Sequence, residues 1–560
     1  MAANEILEFG QGVTTYIMSQ SDYVVNAPAG LKLGEADIFL QNKFQKQVSM
    51  VAAGVASYVA ANQAIDVTDA LGGSSFNVML ETAIQSPFKS TAPNEGATLV
   101  SLAEGATVQD RIKSDITGLQ FTPTGSGMQV SVAGYFPGVF ATATPALGYG
   151  GSWVWDAACP KASHDGGTKI SPTVPWDGTY ATHSAFLAGT GETDPTGNGC
   201  WVRLLDAPDT VSVGMFGADY TGTNAADYVF THVYSFYKNV RFDGNISITT
   251  GFTIPKASTL VGESKESSVI TYSGSGACIT LADAVGYYDK QVLKTFTLKG
   301  PLKAAGSKGI ITATETVGGG SSGTLLNGLY VRDFDYGISG MFIYGDFKSM
   351  MVASCNTGIR NSSNGNYLRM VKVQAFTCVT SFDLQGNHVK CILCSSEGGT
   401  SVSSSSVAFS CSGIVNLSYC YVESSYNAYH ATGGTLRLYK SFAGGNTNGL
   451  LCEGSVFLTA KENTFESNSL QDINIAVGST NNKYLKNNTQ QKPTSWGDTT
   501  TGYEENVIFK SGLNYLVNHI QRGALEIDSA GAAVYMHSPN GTRYAVTVSD
   551  AGAIVVTAVP

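Results

Sequence analysis

Three segments decide the fold: LYVRDFDYGI (329–338), MMVASCNTGI (350–359) and MVKVQAFTCV (370–379). Val331, Val352 and Val373 recur at a spacing of 21 residues, and so do Ile338 and Ile359. Weaker copies follow in KCILCSSEGG (390–399), NLSYCYVESSYNAY (416–429), TLRLYKSFAGGNTNG (435–449) and FLTAKENTFESNSLQDI (457–473). A period near 21, with apolar pairs between turn-forming Asn and Gly, is too long for one strand and turn. It suits a coil of about three short strands, stacked so that successive coils bury a continuous core. Leucine-rich repeats share the period, but their Leu/Asn pattern is absent. The repeat therefore predicts a mainly β chain whose body, over 213–495, is a parallel β-helix.

The N-terminal edge of that body is VGMFGADYTGTNAADYVF (213–230). Asn224 is placed to cap a helix whose Ala225, Val229, Val233, Phe236 and Val240 share a face, and Asp227 loosely completes a capping box. The period then drops to two through Ile246, Ile248, Phe252 and Ile254. Before it, residues 120–212 read as a β-rich connector punctuated by Gly, Pro and Trp. Its Trp153, Trp155, Trp176 and Trp201 are core anchors or a sugar platform. Residues 1–119 carry two helical patterns. One spans 36–65, with a 4-3-4-3 seam from Phe44 through Val48, Val51, Val55 and Tyr58, and Ile65 beyond it. The other spans 75–85, with Phe76, Met79, Leu80 and Ile84 on one face. Past 495 the repeat fades, and 496–560 reads as a small β domain with turns at Asn540-Gly541 and Asp550-Ala-Gly552.

Composition narrows the function classes. Gly numbers 64, charged residues are only 14%, and 27 Tyr with 25 Phe are too many for a disordered chain. The net charge of −10 and the lack of a Lys/Arg cluster argue against nucleic acid. No apolar run is long enough for membrane insertion, and the start MAANEILEFGQG lacks a secretory pattern. The ten cysteines lie mostly in apolar runs and read as small core residues. Cys391-x-x-Cys394 has no second pair, so no metal is expected. No cofactor motif is present either. Gly319-Gly-Ser321-Ser-Gly323 matches G-x-S-x-G without its strand–turn–helix context and reads as a loop.

FGADYTGTNAAD with its amphipathic segment, followed by FDGNISITTGFTIPKASTLVGES, resembles the opening of phage tailspike β-helices of the pectate-lyase-like superfamily. The departure is at 219–227, where the family's acidic Gly-Asp-Gly-x-Thr-Asp-Asp run is replaced by DYTGTNAAD. GGSWVWDAACPKASHDGGTKISPTVPWDGTY resembles the module that often precedes such helices. QNKFQKQVSMVAAGVASYVAANQAIDVTDAL is similar to segments that dock tail fibres on the virion, and SPNGTRYAVTVSDAG to their small C-terminal domains. The resemblance implies a right-handed β-helix in a homotrimer, located on the virion tail and assembled in the host cytoplasm. It also implies docking of residues 1–119 on the phage tail or another tail fibre, and a role for 496–560 in trimerisation or carbohydrate binding. The body would bind, and usually cleave, capsule or O-antigen polysaccharide.

Glycoside hydrolysis needs two carboxyl groups. Glu423 (YCYVESSYN) and Glu466 (ENTFESNS) each follow an aromatic-containing strand and precede a Ser/Asn turn, so they should share one place on coils two apart. The coil between offers Phe442-Ala-Gly-Gly-Asn446, with almost no side chain there. Glu397 should lie one coil before Glu423, and Asp333 and Asp335 occupy an earlier coil. The competing reading is solvated edge carboxylates, or side chains that bond turn backbone. Tyr421, Tyr426, Tyr429, His430, Arg437 and Tyr439 fall within about one coil as candidate substrate-binding residues; external ladders that stabilise the coils are the alternative. Tyr or His as base with Arg as neutraliser would instead suit a polysaccharide lyase. A glycan-binding adhesin without catalysis and a purely structural fibre complete the set of functions.

Overall fold

The computed structural model describes residues 111–560 apart from 124, 138–148, 208, 285–288, 316–318, 399–404, 477–482, 487, 492–493, 497–501, 512–513, 523–533, 538–541, 549–553 and 560. The two N-terminal helical patterns lie outside the described residues. Residues 111–114, 127–133 and 152–154 belong to a small unit, in which Ile112–Lys113 pairs in parallel with Gln129–Val132. The rest of the described chain is a second unit dominated by one continuous 35-stranded sheet wound into a parallel β-helix.

Each coil contributes one strand to each of three faces, and each strand pairs in parallel with its counterpart one coil on. The first face includes Asn239–Phe242, Thr259–Gly262 and, further along, Lys483–Lys486. The second runs from Asn245–Ile248 to Thr489–Gln490, and the third begins with Phe252–Ile254 and Ala277–Leu281. Residues at one strand position on successive coils form a ladder, and one coil is one rung. The inward ladder of the first face reads Val240, Leu260, Leu293, Leu326, Phe347 and Met370, all buried. Burying such side chains is worth about 1.5–3 kcal/mol each. These ladders are why the repeat has apolar pairs: each coil must fill the same core positions. All ten cysteines are buried thiols, eight of them within the β-helix and Cys159 and Cys200 in strands ahead of it.

The repeat is not strictly periodic. Val331 pairs with Val352, and Ile338 with Ile359, as their spacing predicts. Val352, however, pairs with Ala375 rather than Val373. Two extra residues in the preceding turn shift the register, and Val373 lies just before the strand Gln374–Phe376.

The N-terminal cap differs from the expected capping box. Helix α1 spans Tyr180–Leu187, and helix α2 spans Asp227–Phe236. The N-cap of α2 is Ala226, which makes no side-chain bond. Asn224 instead belongs to the short strand Thr221–Ala225, bonded to buried Asp219, whose carboxylate accepts from Thr221 N at 2.8 Å and from Asn224 N and Nδ2 at 2.9 Å. Burial pushes the Asp219 carboxyl up, but these bonds outweigh it and hold it below the usual range. Asp227 ties α2 to the coil by accepting from Thr249 N and from Thr250 N. The buried face of α2 is Val229, Phe230, Val233 and Tyr234, and Phe236 is exposed. Phe230 stacks on Phe252 with ring centres 4.2 Å apart, covering the first coils.

Trp153, Trp155, Trp176 and Trp201 are all buried, so they are core anchors and not a sugar platform. Trp176 stacks on Phe186 of α1 at 4.6 Å, and Trp201 donates to Phe121 O at 3.2 Å. At the C-terminal end, Gly502–Ser511 and Asn514–Arg522 form an antiparallel hairpin. Val534–His537, Arg543–Val548 and Ile554–Val559 form a three-stranded antiparallel sheet.

Candidate functional site

The second face carries a carboxylate ladder on its outer side. Glu397 pairs in register with Glu423, Glu423 with Gly444, and Gly444 with Glu466. Side chains alternate along a strand, so Val422 and Phe465 point into the core while their Glu neighbours point out. Glu397 is exposed, and Glu423 and Glu466 are half-buried. At about 4.8 Å per rung, Glu397 and Glu423 are set one rung apart, and Glu423 and Glu466 about 10 Å apart.

The backbone of this ladder is pinned from the turn beside it. Glu397 O accepts from Thr377 N at 3.0 Å, Glu423 O from Gly398 N at 3.0 Å, and Glu466 O from Gly445 N at 3.2 Å. The residue after each strand takes a left-handed conformation in Ser424 (φ 57°) and Ser467 (φ 57°), which turns the chain sharply off the face. Buried Asn side chains form two further ladders, one just after these strands and one just before them. Asn446 Nδ2 donates to Asn468 Oδ1 at 3.2 Å, and Asn463 Nδ2 to Asn488 Oδ1 at 3.0 Å. Rigid elements thus hold the carboxylates, as a chemical site requires.

Two aromatic rings flank them. Tyr421 pairs with Phe442, and their rings stack 5.0 Å apart at 9°. Hydrogen bonding to Glu423, then a little burial and the charges of Glu423, Glu397 and Glu466, push the Tyr421 phenol up to about 12. Gly444 leaves the rung between Glu423 and Glu466 without a side chain. A Cβ there would lie 2.6 Å from Phe442 Cζ.

The other candidates are scattered around the coil. Tyr429 is fully buried, and its hydroxyl donates to Cys420 O at 3.2 Å and to Phe442 O at 2.9 Å, so it is a core residue and not a sugar contact. Strands of the third face place two consecutive residues inward, here Ala428 and Tyr429, which breaks simple alternation. Tyr426 lies in the turn between the second and third faces, and His430 faces outward on the third, bonded to Glu453 at 2.8 Å. Arg437 and Tyr439 stand on the first face, with Lys440 Nζ 5.1 Å from the Tyr439 ring centre. The expected cluster within one coil is therefore not one surface, because a single coil wraps through all three faces. Asp333 and Asp335 bond turn groups: Asp333 pairs with Arg332 Nε at 2.7 Å, and Asp335 accepts from Gly306 N at 2.8 Å and Asn356 Nδ2 at 2.9 Å.

Sequence reasoning missed Phe442 as the partner of Tyr421, although its aromatic character at the matching repeat position was a usable signal. It also missed Asp383 on the third face, 3.5 Å from Arg360 Nε. Burial pushes the Asp383 carboxyl up despite Arg360 and Gln385.

Comparison with known proteins places this geometry. The solved tailspike gp42 of Acinetobacter phage vb_AbaP_AS12 superposes with a TM-score of 0.50 at 15% identity, over 79% of this chain and 83% of that one. The fold is a tailspike fold. The full-length tailspike protein 2 of an Escherichia coli O157:H7 bacteriophage gives 0.46 at 13% identity, over 78% and 62% of the two chains. Tailspike gp49 of Acinetobacter baumannii bacteriophage Fri1, described as a capsular polysaccharide depolymerase, gives 0.37 at 10% identity, over 78% and 81%. Residues 113–206, ahead of the tailspike β-helix, match the family model described as the phage tail protein small four-stranded beta-sheet domain. No curated protein matches the sequence.

Proposed function

We propose that this chain is a phage tailspike that binds a bacterial surface polysaccharide, capsule or O-antigen, and cleaves it by glycoside hydrolysis. The observation that carries the reading is the register Glu397–Glu423–Gly444–Glu466 on one outward face. Inverting hydrolysis needs two carboxyl groups about 6.5–9.5 Å apart with room for a water. Glu423 and Glu466, two rungs or about 10 Å apart on either side of Gly444, stand near the upper end of that range, with the Phe442 ring packed over Gly444 between them. Glu423 and Glu466 divide the roles of base and acid between them. Tyr421 and Phe442 offer aromatic surface to a sugar ring.

A Tyr-based lyase fits less well, because a phenol pushed up to about 12 is a poor base near neutral pH. Glu397 and Glu423, one rung apart at about 4.8 Å, approach the spacing of a retaining pair, so the stereochemistry of the product decides between the two pairs. In this reading the chain sits on the virion tail as a homotrimer, joined to the tail through residues N-terminal to the β-helix.

The test is incubation of the purified chain with a panel of bacterial surface polysaccharides. Chain shortening with new reducing ends and no absorbance from unsaturated uronate supports hydrolysis. Absorbance would move the mechanism to elimination. Binding without shortening would make the protein an adhesin.

A further inference from the structure

The outward ladder of Glu397, Glu423 and Glu466 continues toward the N-terminal coils as Phe376, Ala353, Arg332 and Lys299, each in register with the next. At this end the same face opens into a hollow of about 470 Å³ whose lining includes Lys265, Lys299, Arg332, Tyr330, Met351 and Glu266. The guanidinium carbon of Arg332 lies 5.9 Å from the Tyr330 ring centre, and its Nε bonds Asp333 at 2.7 Å. That bond occupies Nε and leaves the Nη edge for a second anion. Among the described residues, Lys265 and Lys299 make no ion pair. Counting Glu266 and Asp333, three cations face two carboxylates. The sign of charge along one ladder thus reverses, from cations at one end to carboxylates at the other.

We propose that the hollow is a subsite for a uronate residue of the glycan cut at the carboxylate ladder, so that the substrate is an acidic polysaccharide lying along the second face. The proposal rests on the depolymerase reading and names its substrate class. Arg332 is four rungs from Glu423, about 19 Å, a length that a short oligosaccharide spans. Between the two ends lie buried Ala353 and the half-buried ring of Phe376. The planar Nη edge suits a carboxylate, the lysines add unpaired charge, and Tyr330 and Met351 offer apolar surface to the sugar ring.

The experiment measures binding of fluorescent hexagalacturonate, and of the same oligomer after reduction of its carboxyl groups, to the full chain carrying Glu423→Gln. The acidic oligomer should bind about tenfold more tightly than its reduced counterpart, as expected for one or two charge-assisted bonds. The difference should vanish in Lys299→Met/Arg332→Met. Excess inorganic phosphate should compete only weakly; full displacement by phosphate would reassign the hollow to a phosphate group and overturn the uronate. Equal binding of both oligomers, binding of neither, or a preference that survives the double substitution would also overturn the proposal. If loss of Arg332 unfolds the chain by freeing Asp333, Lys265→Met/Lys299→Met provides the same comparison and should lower the preference severalfold. Failure of the wild-type chain to cleave any polysaccharide would sink the depolymerase reading and leave this binding comparison standing.

Discussion

Glu423 and Glu466 stand two rungs apart on one outward ladder, with Gly444 on the rung between them. If they are acid and base, Glu423→Gln and Glu466→Gln should each reduce polysaccharide cleavage by more than about 100-fold. Affinity for the uncut glycan should stay within a few-fold of wild type. Reducing-end assays and calorimetric titration read the two quantities separately, and full cleavage by both variants would remove the pair from the chemistry.

Gly444 is expected to matter for space. Its added Cβ would meet Phe442 Cζ at 2.6 Å and Cε1 at 2.7 Å, while Glu466 O is 3.4 Å away. Gly444→Ala should therefore push the Phe442 ring off Tyr421 and fill the gap between the carboxylates. The expected outcome is a loss of kcat/KM of at least about tenfold, since small misplacements at a reacting centre are costly. Unchanged kinetics would show that the gap is not where the substrate enters.

Asn463 supports the site from behind. It accepts from Ser441 N at 2.9 Å and donates to Leu438 O at 3.1 Å and Asn488 Oδ1 at 3.0 Å, all buried. Asn463→Ala leaves these partners unsatisfied in the core, at a cost of about 2–4 kcal/mol. Chemical denaturation monitored by circular dichroism should show a lower midpoint, with slopes unchanged.

His183 is expected to make the fold acid-sensitive. It is buried between the Tyr228 hydroxyl at 2.7 Å and the Tyr135 hydroxyl at 3.2 Å. Burial, with a smaller contribution from His232, depresses its pKa to about 3. The folded chain thus keeps this imidazole neutral while the unfolded chain protonates it below about pH 6.5. Its contribution to stability is full above pH 6.5 and is lost as the pH falls toward 3, by about 1.4 kcal/mol per unit at most. Tm measured from pH 7.5 to 4.5 should fall, and His183→Gln should flatten that slope; an equal slope in the variant would assign the acid sensitivity elsewhere.

The fold was legible because a coil must refill the same interior positions, which writes Val331 and Val352 or Ile338 and Ile359 into the sequence at one spacing. The shared place of Glu397, Glu423 and Glu466 was legible for the same reason, since each follows the same strand position. Turn length was not: two extra residues moved Val373 off the ladder that Ala375 occupies. Nor was the face on which a residue lies. Tyr429, Arg437 and Tyr439 are close to Tyr421 in sequence, yet one is interior and two stand on another face. The helix cap failed as a motif because buried Asp219 competes for Asn224, which lies in the strand Thr221–Ala225.

The repeat of the coil also acts as a graduated ruler for chemistry. Separations between outward side chains on this face are available only in steps of about 4.8 Å. One step lies near the spacing of a retaining pair, and two steps near the upper end for an inverting pair. If the ladder is a hydrolytic site, a single outward exchange between Gly and Glu would change which of these separations the face offers.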